Sequence, residues 1–528
     1  MSAGALLPRR GPGIPRRGDW TGTLIAGGMA AGLALLAILF GWRGADLPAQ
    51  LFRVELFRRD GFVLWNSQWF SGHPTLNYSV LSPVLGALTG PLALGALCGI
   101  GSALLFDRLV RTEFGPAAQI GSFWFAVSMV TNLVVGRVTF ALGVMFALAA
   151  LLALQRERGK LAVVCALLCG LACPDAGLFL AIATGAVGLA SRPKRVSAWV
   201  SSATALAPAL VIAAAFPSPG AEPYEWWALA RDLAVCALFL VVVPRRLYAL
   251  RYGAGAYALV LIVTKVVSSP LGGIVSRLNQ YAAGPLLACV LWEHRRKLVI
   301  ALAVPLFFWQ WFPAFDTIAF ARSDPSTHHE YYQPLLDYFD RHSPGFGRVE
   351  IPSTFRHWET AFVAPQVALA RGWERDLDIA YNPQFYDGSL TAAGYRSWLV
   401  ASGVEYVALP DARLDGSSVI EAGLIEHGQP YLRPVWRGPH WQVWRFTGYR
   451  GLVDGPAQLV ALTADGFTLQ VTGTGPVTVH VHDSPHWAVQ GAGCTIAGAD
   501  GWTVIRHTRP GRVSVVQSLR GTRCDVDP

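Results

Sequence analysis

The chain is 528 residues long and 53% hydrophobic but only 15% charged, with a formal net charge of +9. A soluble chain of this length carries roughly a quarter charged residues, so much of the apolar surface must face lipid. The positive charge excludes a nucleic-acid partner by its placement. It falls in short clusters between apolar runs, at Arg9/Arg10, Arg16/Arg17, Arg156/Arg158/Lys160, Arg192/Lys194/Arg195, Arg245/Arg246 and Arg295/Arg296/Lys297, the pattern that orients membrane helices.

In chain order, residues 1–20 read as a basic cytoplasmic N-terminus. The apolar run behind them is long and lacks a small-residue cleavage site, so it reads as a retained helix, not a removed signal. Further runs lie near 91–109, 117–134, 138–154, 160–172, 175–190, 197–215, 227–243, 253–269, 281–292 and 297–313. With the first run at 21–41 they predict about eleven transmembrane helices in a domain over 21–314. Several are shorter than the roughly 20 residues of a perpendicular span, and their polar ends and Trp residues extend them into the interface. The stretch 160–190 is interrupted by Cys173-Pro174-Asp175. Read as one kinked helix, it puts Arg192/Lys194/Arg195 outside. Read as two helices with a tight outer turn, it leaves every later basic cluster inside, so the charge pattern favours the hairpin. The N-terminus is then cytoplasmic and everything after about Pro313 extracytoplasmic.

The loop over 41–80 is too long for a connector. Its first half has helical spacing, with Asp46, Gln50 and Arg53 on one stripe and Leu47, Leu51 and Val54 on another. This predicts an amphipathic helix lying on the membrane interface, held by Trp65 and Trp69 at headgroup depth. After the last run, 315–448 reads as an extracytoplasmic α/β domain. Helices are expected at Leu335–Phe339 and Ala392–Ser402, and strands at Arg348–Ile351, Val404–Leu409 and Trp441–Phe446. Residues 449–528 read as a small β-sandwich with strands at Gly466–Val471, Pro476–Val481, Trp502–His507 and Arg512–Gln517. The fold class is thus a mostly α polytopic membrane protein with two extracytoplasmic additions. Six cysteines lie in apolar runs. Cys494 and Cys524 lie in the polar C-terminal region and are the one pair placed for a disulfide in an oxidising compartment. No Cys or Cys/His spacing fits structural zinc.

Three features together resemble a known family: a first helix ending in an Asp, an interfacial helix, and the stretch "G-x-x-LW-N-x-QW-x-x-GHP" from Gly61 to Pro74. They resemble the GT-C membrane glycosyltransferases, and more closely an actinobacterial RgtA/B/C/D-like glycosyltransferase family. The likeness continues through GRVTFALGV (Gly136 to Val144), CPDAGLFLA (Cys173 to Ala181), PLGGIVSRL (Pro270 to Leu278), HWETAFVAP (His357 to Pro365) and LARGWERDLD (Leu369 to Asp378). It implies a transferase in the plasma membrane that takes a polyprenyl-phosphate sugar donor on the outer face. The sugar would pass, with inversion, to a cell-wall glycan or lipid acceptor of the cell envelope. The family's catalytic base is an acid in the first outer loop, which is Asp46 here. The alternative reading of Asp46 is an N-cap for the interfacial helix, with Pro48 in its first turn.

The other candidates each carry two readings. Glu55 is a second loop carboxylate, or pairs with Arg58 or Arg59 along the helix. Arg137 and Arg277 sit at outer helix ends, where they can grip a phosphate or snorkel to membrane lipids. Lys265 is an intramembrane cation in VLIVTKVVSS, a site residue or a snorkelling one. His73 positions substrate or binds a metal, or is structural. Asp175 is a second acid of the site, or caps its turn. Trp358, Arg371 and Trp373 mix aromatic faces with charge and suit glycan contact, or a dock between the outer domain and the membrane portion. No cofactor is fixed by these residues, and a divalent cation is the candidate. Two rival functions remain. One is a scaffold that keeps the architecture without catalysis. The other is a lipid or glycan transporter using Lys265 and the arginines as an anion path, which inverted repeats would support and none are found.

Overall fold

The computed structural model describes residues 20–342 and 345–524. The basic clusters at Arg9/Arg10 and Arg16/Arg17 lie outside them. Each of the eleven apolar runs contains a helix. They are α1 (Thr21–Leu39), then, after α2 (Leu47–Asp60) and α3 (Ser82–Thr89) of the long loop, α4 (Pro91–Phe114), α5 (Gln119–Val135), α6 (Val138–Gln155), α7 (Gly159–Ala172), α8 (Pro174–Ala190), α9 (Arg195–Ala215), α10 (Trp226–Val242), α11 (Tyr248–Val266), α12 (Gly284–Leu291) and α13 (Arg296–Phe320). Proline opens α4 and α8, where its missing N–H is no loss, and left-handed glycines close α4 at Gly115 and α5 at Gly136.

Six segments are long and apolar enough to cross a bilayer: Thr21–Leu39, Pro91–Val135, Val138–Gln155, Arg195–Ala215, Tyr248–Val266 and Arg296–Phe320. Helices α7 and α8 are shorter and apolar. Leu24, Val196, Leu210, Val211, Val241, Val266, Val304 and Phe312 all stand exposed, far more apolar surface than water tolerates in one region, so the bundle belongs in lipid.

Segment 160–190 is a helical hairpin turning at the extended Cys173. Its two ends return to one side of the bundle. Lys194 Nζ donates to Gln155 O at 3.4 Å, and Gly159 lies against Ser197. On the opposite side the connections of the bundle meet the C-terminal half of the chain: His486 bonds Ala215 O at 2.6 Å, and Arg43 donates to Thr327 O at 3.2 Å.

Beyond α13 the chain forms α14 (His329–Arg341), β3 (Arg348–Glu350), α15 (Glu359–Phe362), α16 (Arg375–Tyr381), α17 (Ala392–Ala401), β4 (Val404–Pro410), α18 (Val419–Glu426), β5 (Leu432–Arg437) and β6 (Trp441–Phe446); β1 (Trp65–Asn66) and β2 (His73–Pro74) are the two short strands of the long loop. The sheet order is β3-β4-β6-β5, with β3 parallel to β4 and the rest antiparallel. Strand β5, absent from the sequence reading, is an edge strand whose Arg, Pro and Trp residues break the alternation that marks a half-buried strand.

The last region is β7 (Val453–Asp454), β8 (Ala457–Thr463), β9 (Gly466–Val471), β10 (Val477–His482), β11 (Trp487–Gln490), β12 (Cys494–Ala497), β13 (Trp502–Arg506) and β14 (Gly511–Gln517). Two four-stranded sheets, β12-β13-β10-β7 and β11-β14-β9-β8, enclose a core of Phe467, Leu469, Val479, Trp487, Ile505 and Val515. Cys494 and Cys524 are disulfide-bonded, tying β12 to the end of the described chain.

The long loop differs from its expected setting. Trp65 does not face lipid headgroups: it is buried in the sandwich core, edge-on to Trp487 at 5.2 Å. Trp69 is fully buried and stacks on Phe52 at 4.1 Å. Helix α2 does not lie on lipid with a wet polar stripe, because Gln50 and Arg53 of that stripe are buried along with Leu47 and Val54. The helix is clamped between the bundle and the C-terminal region. Leu369 N–H donates to Gln68 O at 2.8 Å, Gln68 donates to Ala364 O at 2.8 Å, Arg59 donates to Pro365 O at 2.8 Å, and Ser67 N–H donates to Ala464 O at 3.0 Å.

Candidate functional site

The start of α2 is clipped onto the corner between α5 and α6. Gly44 N–H donates to Val134 O at 2.9 Å and Asp46 N–H to Val135 O at 3.0 Å. Gly136 makes this approach possible: its φ is 97°, and a Cβ there would stand 2.2 Å from Leu47 N. The close packing puts Arg137 Nε 3.0 Å from Asp46 Oδ2, with side chains 17% and 25% exposed. The guanidinium's Nη1 is buried, and the Tyr281 hydroxyl acts on the same group. The capping role of Asp46 is corrected. Its backbone is already helical at φ −81, ψ −13, not in the extended region a side-chain cap requires, and its carboxylate makes no cap hydrogen bond. It faces Arg137 instead.

A second pair lies alongside. Asp175, in the first turn of α8, accepts from Arg277 Nη1 at 2.9 Å. Arg277 follows the tight turn Gly272–Ser276 and stands over the Phe140 ring at 5.4 Å. The two pairs are neighbours: Arg137 acts electrostatically on Asp175, and both Asp46 and Arg277 act on Tyr78. Burial, then the charge of Asp46, pushes the Tyr78 hydroxyl up to about 12, while the Arg53 guanidinium stands 4.1 Å over its ring.

Two further acids border this cluster. Burial lifts Glu222 to about 7 against the pull of Arg375, with Asp376 adding to the rise. Asp376 rises to about 6 through burial and the neighbouring Glu374. The loop carrying Glu222 meets Asp376 at Gly220, where a Cβ would stand 2.4 Å from Asp376 Oδ2.

Asp46, Arg137, Asp175 and Arg277 are therefore brought together from four distant segments, and the remaining sequence candidates are not. Glu55 lies on the exposed face of α2, 3.9 Å from Arg58. Lys265 is half-buried at the end of α11, where it donates to Tyr224 O and stands 4.4 Å over Trp226, fastening the loop that carries Glu222. His73 is buried, bonded to Asn66 at 3.1 Å and to Pro74 O at 3.0 Å, and burial with the charge of Arg53 pushes it down to about 3. It is a neutral spacer in the turn.

Trp358 is 1% exposed and stacks on Phe362. Arg371 is equally sealed, held by Asp378 at 2.6 Å and Glu421 at 3.5 Å and lying 4.2 Å over Phe385. Neither offers a face to a glycan. Trp373 docks on the membrane portion: its Nε1–H donates to Ala45 O at 2.7 Å, and the adjacent Glu374 pairs with Arg53.

The sequence reading missed Tyr78, Glu222, Asp376 and the Arg53–Glu374 pair. The one local signal was acidic or phenolic residues in loops between apolar runs, which many solvated loops share. Among the described residues the group of three ligand side chains gathered within 4.8 Å is Cys494, His507 and Cys524, and its two sulfurs are joined to each other. The acids around Asp46 do not converge into a cation-sized cage, so the residues present do not fit a divalent cation there.

No family model and no curated protein matches the sequence. Among solved structures the chain is similar to the mycobacterial arabinofuranosyltransferase AftD, seen by single-particle cryo-EM, with 16% identity and a TM-score of 0.39 over 86% of this chain and 41% of that one. The chain thus spans less than half the length of that protein.

Proposed function

We propose that the chain is a membrane glycosyltransferase that uses a polyprenyl-phosphate-linked sugar on the outer face of the plasma membrane in cell-envelope glycan assembly. The observation that carries this reading is the joint placement of two Asp–Arg pairs beneath the outer domain. The Asp46 carboxylate and its guanidinium partner are both partly exposed. In the proposed reaction Arg137 and Arg277 hold the donor phosphate, with charge-assisted bonds that strengthen as negative charge develops on the leaving oxygen. Engaging phosphate loosens Arg137 from Asp46 and frees that carboxylate. Asp46 then takes the acceptor hydroxyl proton as the oxygen attacks the anomeric carbon from the face opposite the phosphate. The carbon–oxygen bond to phosphate breaks, and its electron pair leaves with the lipid phosphate, which inverts the anomeric centre. No step runs through a metal.

The accompanying topology is eleven spans with a cytoplasmic N-terminus and everything after about Pro313 outside, as an α/β domain to 448 and a sandwich from 449. The rival scaffold reading draws on one observation: both guanidiniums are already neutralised by a carboxylate. Complementation of a deletion strain separates the two, read as restored envelope glycan. Asp46→Asn keeps the size and removes the base. With normal expression it is expected to lower transfer by about a hundredfold to ten-thousandfold. Full restoration of glycan by this variant would leave the scaffold as the better reading.

A further inference from the structure

The peptide unit between Ala45 and Asp46 is gripped from both edges. Its N–H, on Asp46, donates to Val135 O of the corner that carries Arg137. Its C=O, on Ala45, accepts from Trp373 Nε1 at 2.7 Å, and Trp373 belongs to the outer domain. The indole is itself immobilised. It lies flat on the His357 imidazole, with ring centres 3.4 Å apart and planes 8° from parallel.

His357 is held in the left-handed region at φ 58, a conformation that costs a histidine free energy and persists only where the surroundings enforce it. Its N–H donates to Thr354 O, and its carbonyl accepts from the N–H and hydroxyl of Thr360. Its ring nitrogens face Glu359 at 3.6 Å and Asp415 at 3.7 Å. The neighbours of Trp373 are pinned as well. A Cβ on Gly372 would stand 2.6 Å from Trp69, and Glu374 is paired with Arg53 of α2.

We propose that Trp373 and His357 are positioning residues, a brace from the outer domain that fixes the Ala45–Asp46 peptide and so holds the Asp46 carboxylate at its distance from Arg137. The proposal rests on the reading of Asp46 as the base. It makes the outer domain a working part of the membrane site: a displacement of about 1 Å at a reacting group costs up to about a hundredfold in rate.

The test uses full-length protein in lipid nanodiscs and the deletion strain. Trp373→Phe keeps an aromatic ring beside His357 but removes the indole N–H together with one ring of the indole. Hydrogen exchange at the Asp46 amide is expected to quicken about fivefold, because the peptide loses one of its two bonds. Affinity for undecaprenyl phosphate, the probe of the donor's leaving group, is expected to stay within about twofold of wild type. Glycan transfer in the strain is expected to fall about tenfold to a hundredfold. His357→Asn accepts the left-handed backbone but removes the stacked ring, and is expected to quicken the same amide. A merely structural loss would lower lipid-phosphate affinity and transfer together.

Unchanged exchange at Asp46 in Trp373→Phe overturns the brace. Faster exchange with wild-type transfer, where Asp46→Asn abolishes transfer, overturns the positioning role. If Asp46→Asn transfers like wild type, the enzyme reading falls instead, and the exchange result alone decides the brace.

Discussion

Two networks of arginine and carboxylate lie buried in this molecule, and they are built on opposite plans. In the C-terminal α/β region one guanidinium, Arg371, serves Asp378 and Glu421 with Glu350 at 3.9 Å, and Ser417, Ser418, Tyr395 and Asn382 lie around them. Its members are sealed from solvent, and burial raises Glu350 well above the carboxylate range and Glu421 to about 7. At the membrane junction, Arg137 and Arg277 each hold one acid, and the four side chains are 14–25% exposed. A network sealed from solvent supports the fold. A partly open one can exchange its partner for a ligand.

Arg371→Ala breaks the comparison hardest on the structural side. It strands three buried acids, so a loss of about 3–5 kcal/mol of outer-domain stability is expected, read by denaturant melts of the purified protein. A loss near zero would mean that the sealed network is not load-carrying for the fold. Arg137→Ala and Arg277→Ala should act differently, weakening undecaprenyl phosphate binding by about tenfold to a hundredfold while leaving the melts close to wild type. Titration against lipid phosphate checks this, and unchanged affinity would move the open network into the structural class.

The smallest effect concerns pH. Glu421 has a folded pKa raised from the usual 4.5 to about 7. Its contribution is therefore complete below about pH 4.5 and is lost as pH rises through about 7. Thermal melts of wild type from pH 5.5 to 8.5 should fall by a few degrees more than those of Glu421→Gln, which stays uncharged. Parallel curves would remove Glu421 as the group that titrates.

Much of the helical region was legible in the residues. Runs such as 138–154 are almost wholly apolar, although proline does not end every helix: Pro208 lies inside α9 and Pro305 and Pro313 inside α13. The alternation at Gly466–Val471 likewise marked a strand. Helix α2 was legible as a helix but not in its setting, because an apolar stripe reports that something covers it without saying whether lipid or protein does. Trp65 and Trp69 were misplaced for the same reason, since an indole in a loop next to a span suits headgroups and a protein core equally well.

The sequence by itself determined which segments become helices, that Cys494 and Cys524 are the polar-region pair, and that Asp46, Arg137, Asp175 and Arg277 stand near the ends of apolar helices. Those properties are local: they depend on residue chemistry and on spacing within one stretch of chain. Only the tertiary structure decided that Arg137 takes Asp46 and Arg277 takes Asp175, that Trp373 reaches Ala45 while Trp358 and Arg371 are sealed away, and that Glu222 and Asp376 border the cluster. A charge selects its partner by distance in space, and those partners lie 91, 102 and more than 300 residues apart along the chain.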